Sequence, residues 1–453
     1  MMEPAAHAHL TFEQVESHGD PCRPLEFPSP LVGRGVRVNA LVVDSNTGSR
    51  KVWSGVIHRE DLGADPASAT RTMTLDPRNT NSSSRGGAQP IPPKAKSNPT
   101  TSTGSSSSRP DYSSQFVAYA PSRRLQDAIY GSVWACVVLQ RHHGVAADDA
   151  ARAAGVEPGS PQAPIVWETT NDFVAIKMIE WARVHHMRGR LLEDPVKEIA
   201  AMQLVGNSNP HVLGPIEVLQ DGEFLFTVMP YCSGGDLFGV VVKFAEESGG
   251  EVGMPEPVAR YWFRQILWGL HHLQSVGVCH RDLSLENVLV DRENCLIIDM
   301  GMCLRVPYND PSRAGNITDV TRGNGLRRLM RPQGVCGKHN YMSPEIFSNT
   351  APFDGFAIDL WAAGVILYIM LTGFPPYDQA NRTDQRFDLI VKGNLVRQLR
   401  SWGINLSDDA GDLLQSMLQL DPRDRLTLAE VMAHPWVVNG EAVPPPPEPL
   451  PYY

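Results

Sequence analysis

The run Cys279-His280-Arg281-Asp282-Leu283-Ser284-Leu285-Glu286-Asn287 is followed, twelve residues after Asn287, by Asp299 in Ile297-Ile298-Asp299-Met300-Gly301. One carboxylate and two oxygen ligands are thereby placed near each other. Phosphoryl transfer from ATP needs such parts: magnesium to neutralise the phosphates, and a carboxylate to orient the attacking hydroxyl. Upstream, Val174-Ala175-Ile176-Lys177 is a β-branched run ending in a cation. Farther on, Asp194-Pro195-Val196-Lys197-Glu198-Ile199 supplies a cap residue, a proline suited to a first helical turn, and then a glutamate well placed on that helix.

Taken in this order, the runs resemble the signatures of protein kinases. HRDLSLEN is similar to the catalytic loop, Asp299-Met300-Gly301 to its DFG partner with Met for Phe, and Val174–Lys177 to the strand whose lysine contacts the α- and β-phosphates. The resemblance implies that Asp282 is the base, that Asn287 and Asp299 hold Mg2+, and that Lys177 pairs with Glu198. Met is apolar and adaptable enough to fill the packing site of the Phe.

Leu225-Phe226-Thr227-Val228-Met229 reads as a buried strand entering Pro230-Tyr231-Cys232-Ser233-Gly234-Gly235-Asp236-Leu237, which resembles the hinge between two kinase lobes. Met229 would be the gatekeeper. By the same resemblance the Pro230 carbonyl and the Cys232 amide hold the adenine, Asp236 lies near the ribose, and Gly131, Val133, Ala175 and Leu289 line the nucleotide. Proline keeps its carbonyl, so nothing is lost at 230. Ser343-Pro344-Glu345, Asp359-Leu360-Trp361-Ala362-Ala363-Gly364 and Arg425 extend the match, with Glu345 and Arg425 as a buried pair. The ending AEVMAHPWV is similar to that of the calcium/calmodulin-dependent group.

Two departures stand out. Where kinases cover the phosphates with GxGxxGxV, this chain has Gln126-Asp127-Ala128-Ile129-Tyr130-Gly131-Ser132-Val133. Only the third glycine remains, so a stiffer loop and weak ATP affinity are expected. The lysine that usually follows the catalytic aspartate by two residues is replaced by Ser284, while Lys338 stands where a threonine is usual. Either Lys338 supplies the missing charge at the transferring phosphoryl group, or it faces solvent.

The elements that must position these residues are a strand-rich N-lobe and a helical C-lobe, an α+β fold spanning 120–437, with the N-lobe to about 229 and the C-lobe from about 233. Two insertions interrupt it. That between Gln140 and Asn171 reads as a loop. The other, between Asn309 and Gln333, carries Ser312, Thr318 and Thr321 among five arginines, so that phosphate added by an upstream activating kinase could be captured there, Arg281 included. A plain flexible insertion is the alternative. Cys303 and Cys336 flank that segment; buried free thiols are the simpler reading, a redox bridge the other.

Residues 76–119 are dominated by Ser, Thr, Asn, Pro and Gly and read as a disordered linker. Ahead of it, within 1–75, VRVNALVVD and KVWSGVIH flank SNTGS as a hairpin, marginal by itself. The tail 438–453 ends in EAVPPPPEPLPYY, either a solvated end or a polyproline ligand for an SH3 or WW domain.

The 453 residues carry a formal charge of −10 with both signs interspersed, which favours neither nucleic acid nor an anionic membrane as partner. No stretch reads as a membrane span, and seven cysteines show neither zinc spacing nor a dense disulfide pattern. A soluble cytoplasmic protein is expected, with the nucleus left open.

The resulting expectation is a protein serine/threonine kinase using ATP and magnesium on protein substrates. Glu286 and Asp236 match positions that receive upstream arginines in basic-directed kinases. The competing class is a pseudokinase acting as a scaffold or allosteric module, for which Gln126, Ala128 and Ser284 speak. The complete set Lys177, Glu198, Asp282, Asn287 and Asp299 speaks against it, and the Ser-Pro-Glu segment argues against a small-molecule kinase.

Overall fold

The computed structural model describes residues 23–60, 73–74, 117–160, 162–247, 253–307 and 329–444. Most of the expected linker, the last proline-rich residues, and Ser312, Thr318 and Thr321 lie outside the described residues.

Strands β1 (Leu31–Val43) and β2 (Arg50–Arg59) form the antiparallel hairpin, turned where the Asp44 carboxylate accepts the amides of Asn46 and Thr47 at 2.9 Å. A short β3 (Met73–Thr74) pairs with the start of β1. Strands β4 (Val117–Ala128), β5 (Gly131–Arg141), β6 (Trp167–Glu180), β7 (Glu217–Gln220) and β8 (Phe224–Pro230) make an antiparallel sheet in the order β4-β5-β6-β8-β7. Val117–Tyr119, expected in the linker, are thus the first residues of β4.

The hairpin is not a separate unit, which corrects the division at 75. β2 pairs with β4 through Ile57 and His58, and β1 runs parallel to β7 through Gly33 and Arg34. Both edges of the five-stranded sheet are therefore covered, and the sheet closes on itself. An isolated hairpin cannot bury enough apolar surface, whereas here Val32, Val42, Val56 and Ile57 are each at most 1% exposed. The glycines make the approach possible: a Cβ at Gly33 or Gly35 would lie 3.1 Å from the Leu219 side chain. Arg37 adds ion pairs to Asp221 at 2.5 Å and Glu223 at 2.6 Å while its guanidinium sits 4.3 Å from the centre of the Phe224 ring.

The first insertion is not a simple loop. It extends β5 and β6 and carries helix α1 (Val145–Ala153), whose Ala146 packs with Val43 and Val166. Trp167, at the start of β6, is buried against Ala40, Val42 and Val56 of the hairpin. Alanine-rich composition favours the helix, and the hairpin supplies the apolar surface that holds it.

Helices α2 (Trp181–Met187) and α3 (Pro195–Val205) complete the N-lobe, α3 being capped by Asp194, which accepts the amides of Val196 and Lys197 at 2.9 and 3.3 Å. The C-lobe runs through α4 (Leu237–Glu247), α5 (Glu256–Ser275), β9 (Val278–Cys279), β10 (Val288–Asp291), β11 (Asn294–Ile297), β12 (Leu304–Arg305), α6 (Pro344–Ser348), α7 (Gly355–Thr372), α8 (Gln385–Val391), α9 (Leu395–Ser401), α10 (Asp408–Met417), α11 (Leu428–Ala433) and α12 (Pro435–Val438). Helix α7 is 18 residues long and apolar enough to cross a membrane, contrary to the sequence reading, yet all of it is buried as the central helix of the lobe.

Arg425 donates to Glu345 at 2.9 Å and to the Ala357 carbonyl at 2.7 Å, its side chain fully buried and stacked near Trp361. Removing one member strands a buried charge, so Arg425→Met should lower stability by about 3–5 kcal/mol, read as a shifted midpoint in urea unfolding.

Candidate active site

The twelve-residue spacing between Asn287 and Asp299 closes through a hairpin. β10 and β11 pair Val288 with Ile297, and the Ile298 amide donates to the Asn287 carbonyl at 2.9 Å, so both ligands emerge at the same end. His280 joins the catalytic loop to this hairpin through Nε2, 2.8 Å from the Ile298 carbonyl. Asp359 of α7 holds the loop from below, accepting the His280 and Arg281 amides at 2.6 and 2.8 Å. Arg281 and Asp299 have φ of 67° and 65°, conformations that cost non-glycine residues energy and persist because these bonds over-determine them.

Asp282 lines a small pocket together with Gly337 and Lys338. Its backbone carbonyl accepts the Asn287 side-chain amide at 2.7 Å and its Oδ2 does so at 3.2 Å, whereas buried Oδ1 has no hydrogen-bond partner among the described residues. Burial pushes this carboxyl above the ordinary carboxylate range, against the pull of His280 and Lys338. With its nitrogen committed to Asp282, Asn287 offers its amide oxygen to a cation. Asn287 and Asp299 form a sparse, hard-oxygen set suited to magnesium, which takes one or two protein ligands together with phosphate oxygens.

On the N-lobe side, Lys177 Nζ lies 2.7 Å from both carboxylate oxygens of Glu198. Burial pulls the lysine pKa down, but Glu198 and Asp299 outweigh it and hold Lys177 above its usual value. Met300 is 1% exposed and shares an apolar cluster with Ala201, Met202 and Val205 of α3. Ala175, Met229 and Val133 belong to the same cluster, and β6 pairs Ala175 directly with Met229. Pro230 and Cys232 follow with partial exposure, and Leu289 bridges to Asp236. The Asp236 carboxylate itself accepts the Gly239 amide at 2.8 Å, at the start of α4.

The β4–β5 turn consists of Ile129 and Tyr130, and β5 starts at Gly131. A Cβ on Gly131 would meet the Met178 carbonyl at 1.8 Å, so this glycine is required by the strand contact with β6. Tyr130 is 3% exposed and donates its hydroxyl to the Glu193 carbonyl at 2.8 Å. The sequence reading missed this anchor. Burial, with Glu193 nearby, raises the tyrosine above its ordinary pKa. The Glu193 carboxyl, also missed, is raised by burial and lies in the field of Lys177, Glu198 and Asp299.

Lys338 does not simply face solvent. Its Nζ donates to Ser284 Oγ at 2.6 Å and lies 3.5 Å from Glu286. Glu286, expected to await a substrate arginine, is thus engaged from within the chain. Arg281 bridges both ends of the following segment, donating to the carbonyls of Met302 at 3.3 Å and Gly334 at 3.1 Å. Cys303 and Cys336 are buried and unbridged; burial pushes the Cys303 thiol up to about 12 and raises that of Cys336.

A family model described as the protein kinase domain matches residues 164–437. The chain belongs to the protein kinase family. Among its curated relatives, mouse serine/threonine-protein kinase DCLK3 is 34% identical over 272 residues, covering 59% of this chain and 30% of that protein. CBL-interacting protein kinase 16 of rice is 32% identical over 282 residues, 62% of this chain and 54% of the relative. The maternal embryonic leucine zipper kinase of Xenopus tropicalis is 30% identical over 277 residues, 61% and 37% of the two chains. The match therefore spans about a third to a half of these relatives' lengths. It begins ahead of β6, so the β1/β2 hairpin and the β4–β5 turn precede the kinase-family match although the same sheet contains them.

Proposed function

We propose that this kinase is catalytically active, transferring the γ-phosphate of ATP to serine or threonine hydroxyls of protein substrates. The observation that carries the reading is the buried Lys177–Glu198 pair, formed at 2.7 Å within the field of Asp299. Such a pair aligns the α- and β-phosphates, and kinase turnover requires it in place.

In this reading Asn287 and Asp299 would hold magnesium, which when bound neutralises phosphate charge. Asp282 accepts or orients the proton of the substrate hydroxyl through Oδ1, which has no partner among the described residues, and is positioned by Asn287. Burial, which raises this carboxyl above the ordinary carboxylate range, makes it a better proton acceptor. Lys338, seated on Ser284, presents a cation where charge develops on the transferring group. Ala175, Val133, Met229 and Leu289 enclose the adenine, with Pro230 and Cys232 as backbone partners. Because Lys338 engages Glu286, a substrate arginine at that position must compete with an internal lysine, which weakens a basic-directed preference.

Tyr130 supports the second reading, a pseudokinase, insofar as a pinned turn without its first two glycines contacts phosphate less closely. The deciding assay is transfer from labelled ATP with magnesium to a mixed Ser/Thr peptide library. Labelled peptide is the expected result. No labelling at high ATP, even after phosphorylation of the segment 308–328, would leave a scaffold or allosteric module.

A further inference from the structure

The residues just ahead of β1 connect two parts of the active site. The Leu25 amide donates to the Arg305 carbonyl at 3.0 Å, and the Arg305 guanidinium returns a bond of 3.0 Å to the Glu26 carbonyl. Arg305 belongs to β12, six residues after Asp299, and β12 pairs with β9, which leads directly into His280. Phe27 then packs against the apolar cluster that contains Met300. Where β1 begins, the Leu31 amide donates to Gln203 Oε1 at 2.8 Å and Gln203 Nε2 donates to the Leu31 carbonyl at 2.6 Å. Gln203 lies on α3, the helix that carries Glu198. Val32 is buried in one cluster with Ile199 of that helix and Tyr130 of the β4–β5 turn.

We propose that residues 25–32 are a built-in strap that joins α3, the β4–β5 turn and the start of the segment after Asp299, and that Gln203 is a positioning residue for the Lys177–Glu198 pair. The proposal rests on the kinase reading for its catalytic consequence. The paired amide bonds from Gln203 to one backbone residue of β1 add a directional anchor to the apolar packing of Ile199 against Val32. The strap lies outside the stretch 164–437 that matches the family model. A helix that carries one half of an ion pair is useful only in the orientation that completes the pair. Two hydrogen bonds at its exposed edge bias that orientation by about tenfold in population.

The test uses the full chain with Gln203→Leu, which removes both bonds, and Gln203→Glu, which retains the acceptor for the Leu31 amide and removes the donor. Gln203→Leu should speed amide hydrogen exchange within 196–205 about tenfold and lower kcat about tenfold, with the KM for peptide unchanged. Gln203→Glu should fall between it and wild type. Arg305→Met, which releases Glu26, should speed exchange at 25–27 and 300–306. The proposal is overturned if Gln203→Leu leaves exchange in α3 at the wild-type rate, or if exchange rises equally in α5 and α7, which would mark general loss of stability. Should wild type transfer no phosphate, the kinase reading fails on that result alone, and hydrogen exchange still decides whether the strap holds the helix.

Discussion

Lys338→Met should reduce kcat for phosphate transfer by about a hundredfold and leave the KM for ATP within about twofold. A single well-placed donor at developing oxyanion charge contributes roughly 10²–10³ in rate. Lys338 is the cation seated on Ser284, and Asp282 lies within its field. Methionine keeps the length and apolar stem of the side chain while removing its charge, so packing beside Gly337 and Tyr341 should survive. The companion experiment moves the charge back: Ser284→Lys together with Lys338→Thr should recover most of the lost rate. Lys338→Met also frees Glu286, so peptides with an upstream arginine should gain relative to those without. Unchanged turnover in steady-state kinetics would exclude a catalytic role for Lys338.

Asp299→Asn should lower transfer by a factor of about a thousand or more. Charge stabilisation by a bound metal accounts for several kcal/mol at the transition state, and each 1.36 kcal/mol corresponds to a factor of about ten. The substitution is well suited to separating chemistry from folding. Asp299 has φ of 65°, and asparagine adopts the left-handed region as readily as aspartate. The hydrogen bond from the Gly301 amide to Asp299 Oδ1, 3.1 Å long, can be accepted equally by an amide oxygen. Thermal unfolding should therefore remain close to wild type, while the extra stabilisation that magnesium adds to ATP binding should disappear. If Asp299→Asn labels peptide as fast as wild type, the observed transfer does not arise at this site.

The motifs with chemistry were legible because each is local. HRDLSLEN and Asp299-Met300-Gly301 are set by one loop and one hairpin, whose pairing of Val288 with Ile297 is implicit in their spacing. Asp194 and Pro195 announced the start of α3, and with it the location of Glu198. The neighbourhood of Lys338 and Ser284 was open in sequence, because 54 residues separate them and a lysine there could equally have faced solvent. Gly131 was legible as a glycine but not for its contact with Met178. Tyr130 carried no signal that would distinguish a buried anchor from an exposed turn residue.

By itself, the sequence determined the two-lobed α+β class and the order of the kinase motifs, since these depend on short spacings and side-chain chemistry. Only the tertiary structure decided that the N-terminal hairpin closes the sheet, that α1 docks on it, and that the apolar α7 is a core helix. Parallel pairing of Gly33 with Leu219 joins residues 186 apart, and backbone hydrogen bonding is the same for any strand of suitable length. Its register is selected by contacts that exist only after folding, such as the Gly33 and Gly35 approach to Leu219 and the Arg37 pairs to Asp221 and Glu223. Likewise, hydropathy measures what a helix would bury but not against which surface, so α7 could be read correctly only with the lobe assembled around it.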